Sequence, residues 1–597
     1  EVRSAVVLAS LIVMLGFLPI FFLGGVAGTF FQPLAIAYVL AIAASLLVAL
    51  VVTPAMCLFL LPNAPLKAER DTRLVGALKR RYAGVLPRMV ARPALAMGIV
   101  AGGLLLAGVG YAGFKDQFLP DFRETDFLMH FVEKPGTSIE AMDRITIRAS
   151  KELRAIPGVR NFGAHIGRAE AADEVVGPNF TELWISLDEN VDYDASVARI
   201  KEVIDGYPGL YRDVLTYLRE RIKEVLSGAG ATVVVRIFGP DQVELRATAE
   251  RVRAKVAAID GVADLKVEQQ VLVPQIQVRP RPGDLATLGL TAGEVRRQAQ
   301  TLVAGQKVGE IYRDQKAFDV ALWGEPKVRG DVHALADMMI QTPAGAPVRL
   351  RDVADIRIMP APNEIKRENG QRRIDVTLNV AGADLGTVAR AVETAVGRVP
   401  FATGYHPQVL GEYAALRDSR QRLWTTGLLC LLGVLLLVWL EFRSARITAL
   451  VATSLPFALV GGVVGVALTG GVLSLGSLVG FVTVIGISAR NGIMLLSHYD
   501  HLRRFEGETF GPHLILRGAE ERLVPILMTA ACAGLALLPL IVAGNAPGHE
   551  IEHPMAIVIL GGLVSSTVLN LFLMPALYAR FGREKPAPDA PFAGVPA

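Results

Sequence analysis

Arg490 is the residue that packing alone explains least. It stands in the run Gly486-Ile-Ser-Ala-Arg-Asn-Gly-Ile-Met-Leu-Leu-Ser-His-Tyr-Asp500, inside an apolar stretch long enough to cross a bilayer. A guanidinium at that depth costs roughly 3 kcal/mol or more unless it is paired, so an intramembrane arginine reads as functional. Its natural chemistry is to answer the charge of a carboxylate that takes up and loses a proton. The competing reading is snorkelling toward the interface about two helical turns away, near His498. Ser488 and Asn491 flank Arg490 in sequence, and Thr529 follows Arg522-Leu-Val-Pro-Ile-Leu-Met528 in the next apolar stretch. Taken alone, Thr529 reads as a hydroxyl bonded back to its own helix, and Arg522 as an anchor at the inner boundary.

A second constellation is His549-Glu550-Ile551-Glu552-His553, a literal match to the H-E-x-x-H zinc signature. That signature needs a helix to bring both imidazoles to one face, and Pro554 follows directly, disfavouring helical geometry before it. The five residues are therefore expected in a loop, which disfavours a metalloprotease. His130, His165, His333 and His406 show no metal-ligand spacing, and Met129, Met142, Met338, Met339 and Met359 read as core fillers. The expectation at this level is no resident metal, no cofactor and no enzymatic activity.

The elements that must position these residues belong to two phases. The chain of 597 residues is 52% hydrophobic and 20% charged, with a mean hydropathy of +0.41. Residues 114–422 hold 42 Lys and Arg against 44 Asp and Glu, whereas the other 288 residues hold 19 and 13. A near-neutral soluble domain thus interrupts a basic membrane part, and nothing favours nucleic-acid binding. Eight apolar stretches could span a bilayer, at about 5–23, 33–61, 93–113, 423–440, 447–469, 475–497, 523–543 and 555–577. None contains an internal Asp or Glu. With the spans alternating and the 309-residue domain outside, 18 of the 19 basic residues fall in inner segments, and the outer loops 24–32, 470–474 and 544–554 have none. Cys57, Cys430 and Cys532 all lie in spans, so the outer domain has no disulfide.

The two ends repeat one another. Leu18-Pro19 matches Leu538-Pro539, Pro33-Leu34-Ala35-Ile36 matches Pro554-Met555-Ala556-Ile557, and Pro54-Ala55 matches Pro575-Ala576, at offsets of 520 to 521. Duplicated halves are a transporter pattern. The repeat implies that the first two spans end a first half, of which roughly 430 residues would lie upstream, so the chain is expected to be a fragment. The carboxylate facing Arg490 is expected there too.

Within the soluble domain, strand and helix patterns alternate at 127–132, 138–155, 161–165, 181–187 and 195–205. A second unit runs over 232–238, 243–258 and 263–268, and a third over 373–380 and 385–396. They predict α+β modules of ferredoxin-like β-α-β type at 114–232 and at 233–272 with 364–422, split by an insertion at 273–363. Between spans two and three, residues 63–92 form an inner connector. There Leu74, Leu78, Tyr82, Val85 and Met89 share one helical face opposite Arg73, Lys79, Arg80 and Arg81, as in a helix lying on a membrane surface.

The runs Gly486 to Asp500 and Glu521 to Thr529, the Pro-x-x-Ile and Thr-Pro-Ala patterns of the first spans, Val348-Arg-Leu-Arg-Asp-Val-Ala-Asp355 and Ile365-Lys-Arg-Glu-Asn-Gly370 resemble the resistance-nodulation-division efflux permeases, and most of all their heavy-metal branch. The resemblance implies a polytopic α-helical inner-membrane protein with a large periplasmic domain of porter modules, proton-driven and trimeric. Its partners would be a periplasmic adaptor and an outer-membrane channel, besides the lipid bilayer. It implies family helices five to twelve for the present spans, a docking role for the insertion and a cytosolic tail at 580–597. It also implies proton-relay roles for Arg490, Thr529 and Arg522, with Ser488 and Asn491 as neighbours. The methionines of copper and silver permeases are replaced by Phe180 and Val225, which leaves divalent metals or organic compounds as cargo. The rivals are a multidrug exporter of the same superfamily, and a non-transporting membrane-anchored binding or protein-export module.

Overall fold

The computed structural model describes residues 3–61, 71–120, 122–168, 176–270, 272–362, 364–544 and 546–582. The tail from 583 lies outside the described residues. Seven described helices are long and apolar enough to cross a membrane, and the shorter apolar segment Val6–Phe22 makes an eighth. The spans are longer than hydropathy alone marks. The second starts at Gly25, so most of the expected outer loop 24–32 is helical, and the fourth runs over Glu412–Phe442, taking up residues expected in a porter module. The sixth and seventh reach Leu475–Phe505 and Pro512–Ala543. Intrahelical hydrogen bonds do not stop where the bilayer does, whereas hydropathy marks only the apolar part.

Glycines let the spans cross closely. A Cβ on Gly16 of the first span would lie 3.3 Å from Gly486 Cα of the sixth, and Gly461 of the fifth packs directly on the backbone of Gly561 of the eighth. The repeat is also visible as backbone geometry. π-Helical turns occupy Val48–Val52 and Leu569–Leu573, again 521 residues apart. Each is followed closely by a proline, Pro54 or Pro575, whose missing N–H frees the carbonyl four residues earlier. In the eighth span that carbonyl, Leu571 O, accepts the Tyr82 hydroxyl at 2.5 Å.

The extramembrane domain holds two modules with one topology. The first comprises β1 (Asp126–Val132), α1 (Ile139–Arg154), β2 (Val159–Ile166), β3 (Phe180–Leu187), α2 (Tyr193–Asp205), β4 (Tyr211–Arg212) and β5 (Leu215–Thr216), with α3 (Tyr217–Ser227) leading out of it. Its sheet order is β2-β3-β1-β4, antiparallel throughout, with β5 also on β1. The second comprises β6 (Val233–Phe238), α4 (Gln242–Val256), β7 (Val262–Val267), β8 (Gln371–Val380), α5 (Leu385–Gly397) and β9 (His406–Gly411), in the order β7-β8-β6-β9. The pieces at 233–272 and 364–422 thus lie in one sheet, cut between its second and third strands by the insertion. In it β8 pairs with strands more than 100 residues earlier in the chain.

Apolar alternation explains the layers. Phe127, Met129 and Phe131 of β1 pack under Met142, Ala149 and Leu153 of α1, and Val233, Val235 and Ile237 of β6 pack under Leu245, Ala249 and Val252 of α4. The chain enters this domain beside the membrane through the parallel pair Lys115–Asp116 with Val472–Leu473. An ion pair between Asp116 and Arg420 of the fourth span adds to the junction.

Candidate functional site

Arg490 is exposed on the flank of the sixth span and forms no ion pair among the described residues. Ser488 and Asn491 do not join it. They lie about 200° and 100° from it around the helix, and are buried in the bundle at 0% and 5% exposure. Around Gly492 they share that interior with other polar groups: a Cβ there would lie 3.5 Å from Asn570 Oδ1 and 3.8 Å from Ser454 Oγ. Ser488 Oγ, Asn491 Nδ2 and Asn570 Oδ1 are all buried without a hydrogen-bond partner. Asn570 and Ser454 escaped the sequence reading, although an asparagine inside an apolar span was a usable signal. Thr529 Oγ1 donates to Pro525 O at 2.9 Å, the back-bonded geometry expected of it alone. Arg522 Nε is buried without a hydrogen-bond partner.

The H-E-x-x-H residues are not wholly the loop expected of them: Glu552 and His553 are helical and the His553 N–H donates back to His549 O at 2.8 Å, yet the two imidazoles meet different partners. The last span begins at Glu552, two residues before Pro554, so His549 lies before the helix and His553 in its first turn. His553 Nδ1 meets Leu540 O at 3.1 Å, and His549 Nδ1 lies 3.6 Å from Glu552. Glu550 is the structural member. Its buried carboxylate accepts from the backbone N–H of Arg123 at 3.0 Å and of Gly548 at 2.9 Å, tying the outer loop to the chain that enters the first module.

A third group assembles where the sequence shows no spacing at all. His130 on β1, Asp213 between β4 and β5, and Glu220 on α3 place one ligand atom each within 4.8 Å of one another. His130 Nδ1 lies 3.1 and 3.2 Å from the two Asp213 oxygens, whose Oδ1 also accepts the His130 backbone N–H at 2.9 Å. Glu182 of β3, directly across from His130, adds a further buried carboxylate. Burial opposes a charge on His130, but the Asp213 carboxylate outweighs it, and with Glu220 and Glu182 it holds the imidazole up at about 9. Burial pushes Glu220 up to about 7, with His130 pulling the other way and Asp213 adding to the rise. Lys266 of β7, over the Tyr211 ring at 3.0 Å, is brought down to about 8 by burial. Glu220 Oε2 and Glu182 Oε1 are buried without a hydrogen-bond partner. One imidazole and two carboxylates, with acceptor capacity unspent, could hold a divalent cation. The ring of Phe180 packs on His130 at 5.3 Å, and Met129 and Met142 belong to the hydrophobic core of the same module. The gap of 83 residues between His130 and Asp213 is what hid it from the sequence.

A model of the AcrB/AcrD/AcrF family matches residues 1–582. The chain belongs to this family. The cobalt-zinc-cadmium resistance protein CzcA of Cupriavidus metallidurans is 32% identical over 593 residues, covering 97% of this chain and 55% of that protein. HelA of Legionella pneumophila is 32% identical, covering 98% of this chain and 57% of its own length. The nickel and cobalt resistance protein CnrA of C. metallidurans is 31% identical, covering 97% and 54%. The crystal structure of a heavy metal efflux pump superposes with a TM-score of 0.78 at 25% identity, covering 97% of this chain and 58% of that one. The chain thus spans about half the length of the curated relatives it matches. Shared family membership accounts for the combination of apolar spans and ferredoxin-like modules in one chain.

Proposed function

We propose that this chain belongs to a proton-driven permease that exports divalent metal cations, with the His130, Asp213 and Glu220 group as a cation site. That group carries the reading, because its oxygen and nitrogen donors suit zinc, cobalt or nickel better than monovalent copper or silver. The names of CzcA and CnrA, which specify cobalt, zinc, cadmium and nickel, support the same class. The basic inner loops support an inner-membrane location with the extramembrane domain in the periplasm. A homotrimer joined to a periplasmic adaptor and an outer-membrane channel completes the proposal, with the insertion at 273–363 as the docking face. Arg490 would couple transport to protons by facing an acidic residue from outside the described residues, and Arg522 and Thr529 would extend that relay.

In the intact protein, expressed in a metal-sensitive Gram-negative host, His130→Ala and Arg490→Ala should each abolish cation tolerance at unchanged membrane abundance. Arg490→Lys should keep part of the activity, since charge is retained and the planar fork is lost. Unchanged zinc or cobalt export by both alanine variants would overturn the proposal. A second reading, an apolar cargo, is favoured by a membrane-level cavity of about 370 Å³ lined by Leu104, Tyr111, Trp424, Leu428, Phe481 and Ile485. Dye efflux lost in Trp424→Ala with metal tolerance intact would select it.

A further inference from the structure

The connector helix, Arg73–Val90, divides its surface three ways. Tyr82 and Leu86 are buried at 4% and 1% exposure against the seventh and eighth spans. The Tyr82 hydroxyl is held by Leu571 O, and its ring meets Phe572 edge-on at 5.4 Å. Next around the helix come Leu74, Leu78 and Val85, apolar and uncovered at 70%, 39% and 44% exposure. Beyond them lie Arg81 and Arg88, then Arg73 and Arg80, with Arg92 just past the helix end. All five arginines are exposed and form no ion pair among the described residues, whereas Lys79 pairs with Asp71 at 2.9 Å.

We propose that this helix is a docking surface for anionic phospholipid, the arginines taking the headgroup phosphate and the leucine–valine strip lying on the acyl chains. The helix's place in the chain fixes its depth. Only Ala91 and Arg92 separate it from the third span at Pro93, so the uncovered strip lies level with the membrane boundary. Arg81 and Arg88 flank that strip, with Arg73 and Arg80 beyond them and Arg92 past the helix end, and these unpaired guanidiniums complement a phosphodiester, to which arginine donates in a planar fork. General topological signalling by inner basic residues would accept any lipid; this surface discriminates by charge. The inference rests on the membrane reading of the chain, not on the cation site, and fails separately from it.

The test places the purified chain in nanodiscs of phosphatidylcholine containing a minor fraction of phosphatidylglycerol with the same acyl chains. The lipid retained after a delipidating wash is measured by mass spectrometry. Phosphatidylglycerol should be enriched at least about fivefold over its share, the effect of roughly one surface cation. The R73Q/R80Q/R81Q/R88Q/R92Q variant should lose that enrichment, and the corresponding five lysine replacements should keep part of it. Enrichment absent from the unmodified chain, or equal in the glutamine variant, would overturn the proposal. So would displacement by inorganic phosphate alone, which would assign the arginines to a soluble anion. If the glutamine variant fails to insert, the unmodified chain and the lysine variant still decide.

Discussion

The two extramembrane modules carry charge at the same place and use it differently. In the first, His130 of the central strand faces Glu182 across the sheet; in the second, Arg236 of the corresponding strand faces Asp375. Arg236 closes on Asp375 as a planar fork, Nε to Oδ1 at 2.9 Å and Nη2 to Oδ2 at 2.8 Å, while Glu368 and Arg373 complete a balanced set. Around His130 the imidazole meets Asp213 and Glu220, while Glu182 opposite is shared with His165 at 3.5 Å and Arg221 at 3.7 Å, and one oxygen each of Glu220 and Glu182 lacks a hydrogen bond. A balanced fork leaves nothing to exchange and holds two strands in register. An acid-rich pocket around a titratable imidazole can trade protons for a cation. The same fold position therefore yields a structural lock in one module and a candidate site in the other, and ligand balance decides which.

The largest effect should come from breaking the lock. Arg236→Ala strands a buried Asp375 and should destabilise the protein by about 3–5 kcal/mol, read as a lowered Tm of the purified chain. A loss no larger than for an exposed arginine would erase the distinction between the modules. In the other module, Glu220→Gln should leave Tm unchanged or raised, since it removes a buried like charge, yet weaken zinc binding by at least about tenfold by calorimetry. Undiminished zinc affinity would remove Glu220 from the site.

Stability against pH sharpens the contrast further. His130 at about 9 and Glu220 at about 7 both sit above their free values of 6.5 and 4.5, so the folded protein holds these protons more tightly than the unfolded chain. Their contribution is complete below the free values and is lost as pH rises, through about 7 for Glu220 and about 9 for His130. Tm without metal should therefore fall from acidic to alkaline pH, and saturating zinc should flatten the profile. A metal-free Tm rising over that range would reverse the assigned sign. The smallest effect belongs to the outer loop: replacing His549 and His553 by Ala should leave zinc binding as it was, since the two imidazoles serve separate partners.

Much of the fold was legible because its signals are local. Span count follows from apolar length, and the likeness of the two ends from prolines at a constant offset. The β-α-β periodicity located the first three strands and both helices of each module to within a few residues, but not β4, β5, α3 or β9. The candidate membrane residues were legible as residue types in a span, but not as a site. Ser488 and Asn491 are Arg490's neighbours in sequence and lie on other faces of the helix, a consequence of its 3.6-residue turn.

The sequence by itself determined the phases of this chain, its duplicated ends and the ferredoxin-like character of its modules, because each depends on composition or on a short repeat. Tertiary structure alone decided that His130 meets Asp213 and Glu220, and that Glu550 ties the loop before the last span to Arg123. Those outcomes depend on strand pairing and helix docking between residues far apart in the chain. A residue's type sets its possible chemistry, but the partners that realise it are chosen by contacts that sequence spacing does not encode.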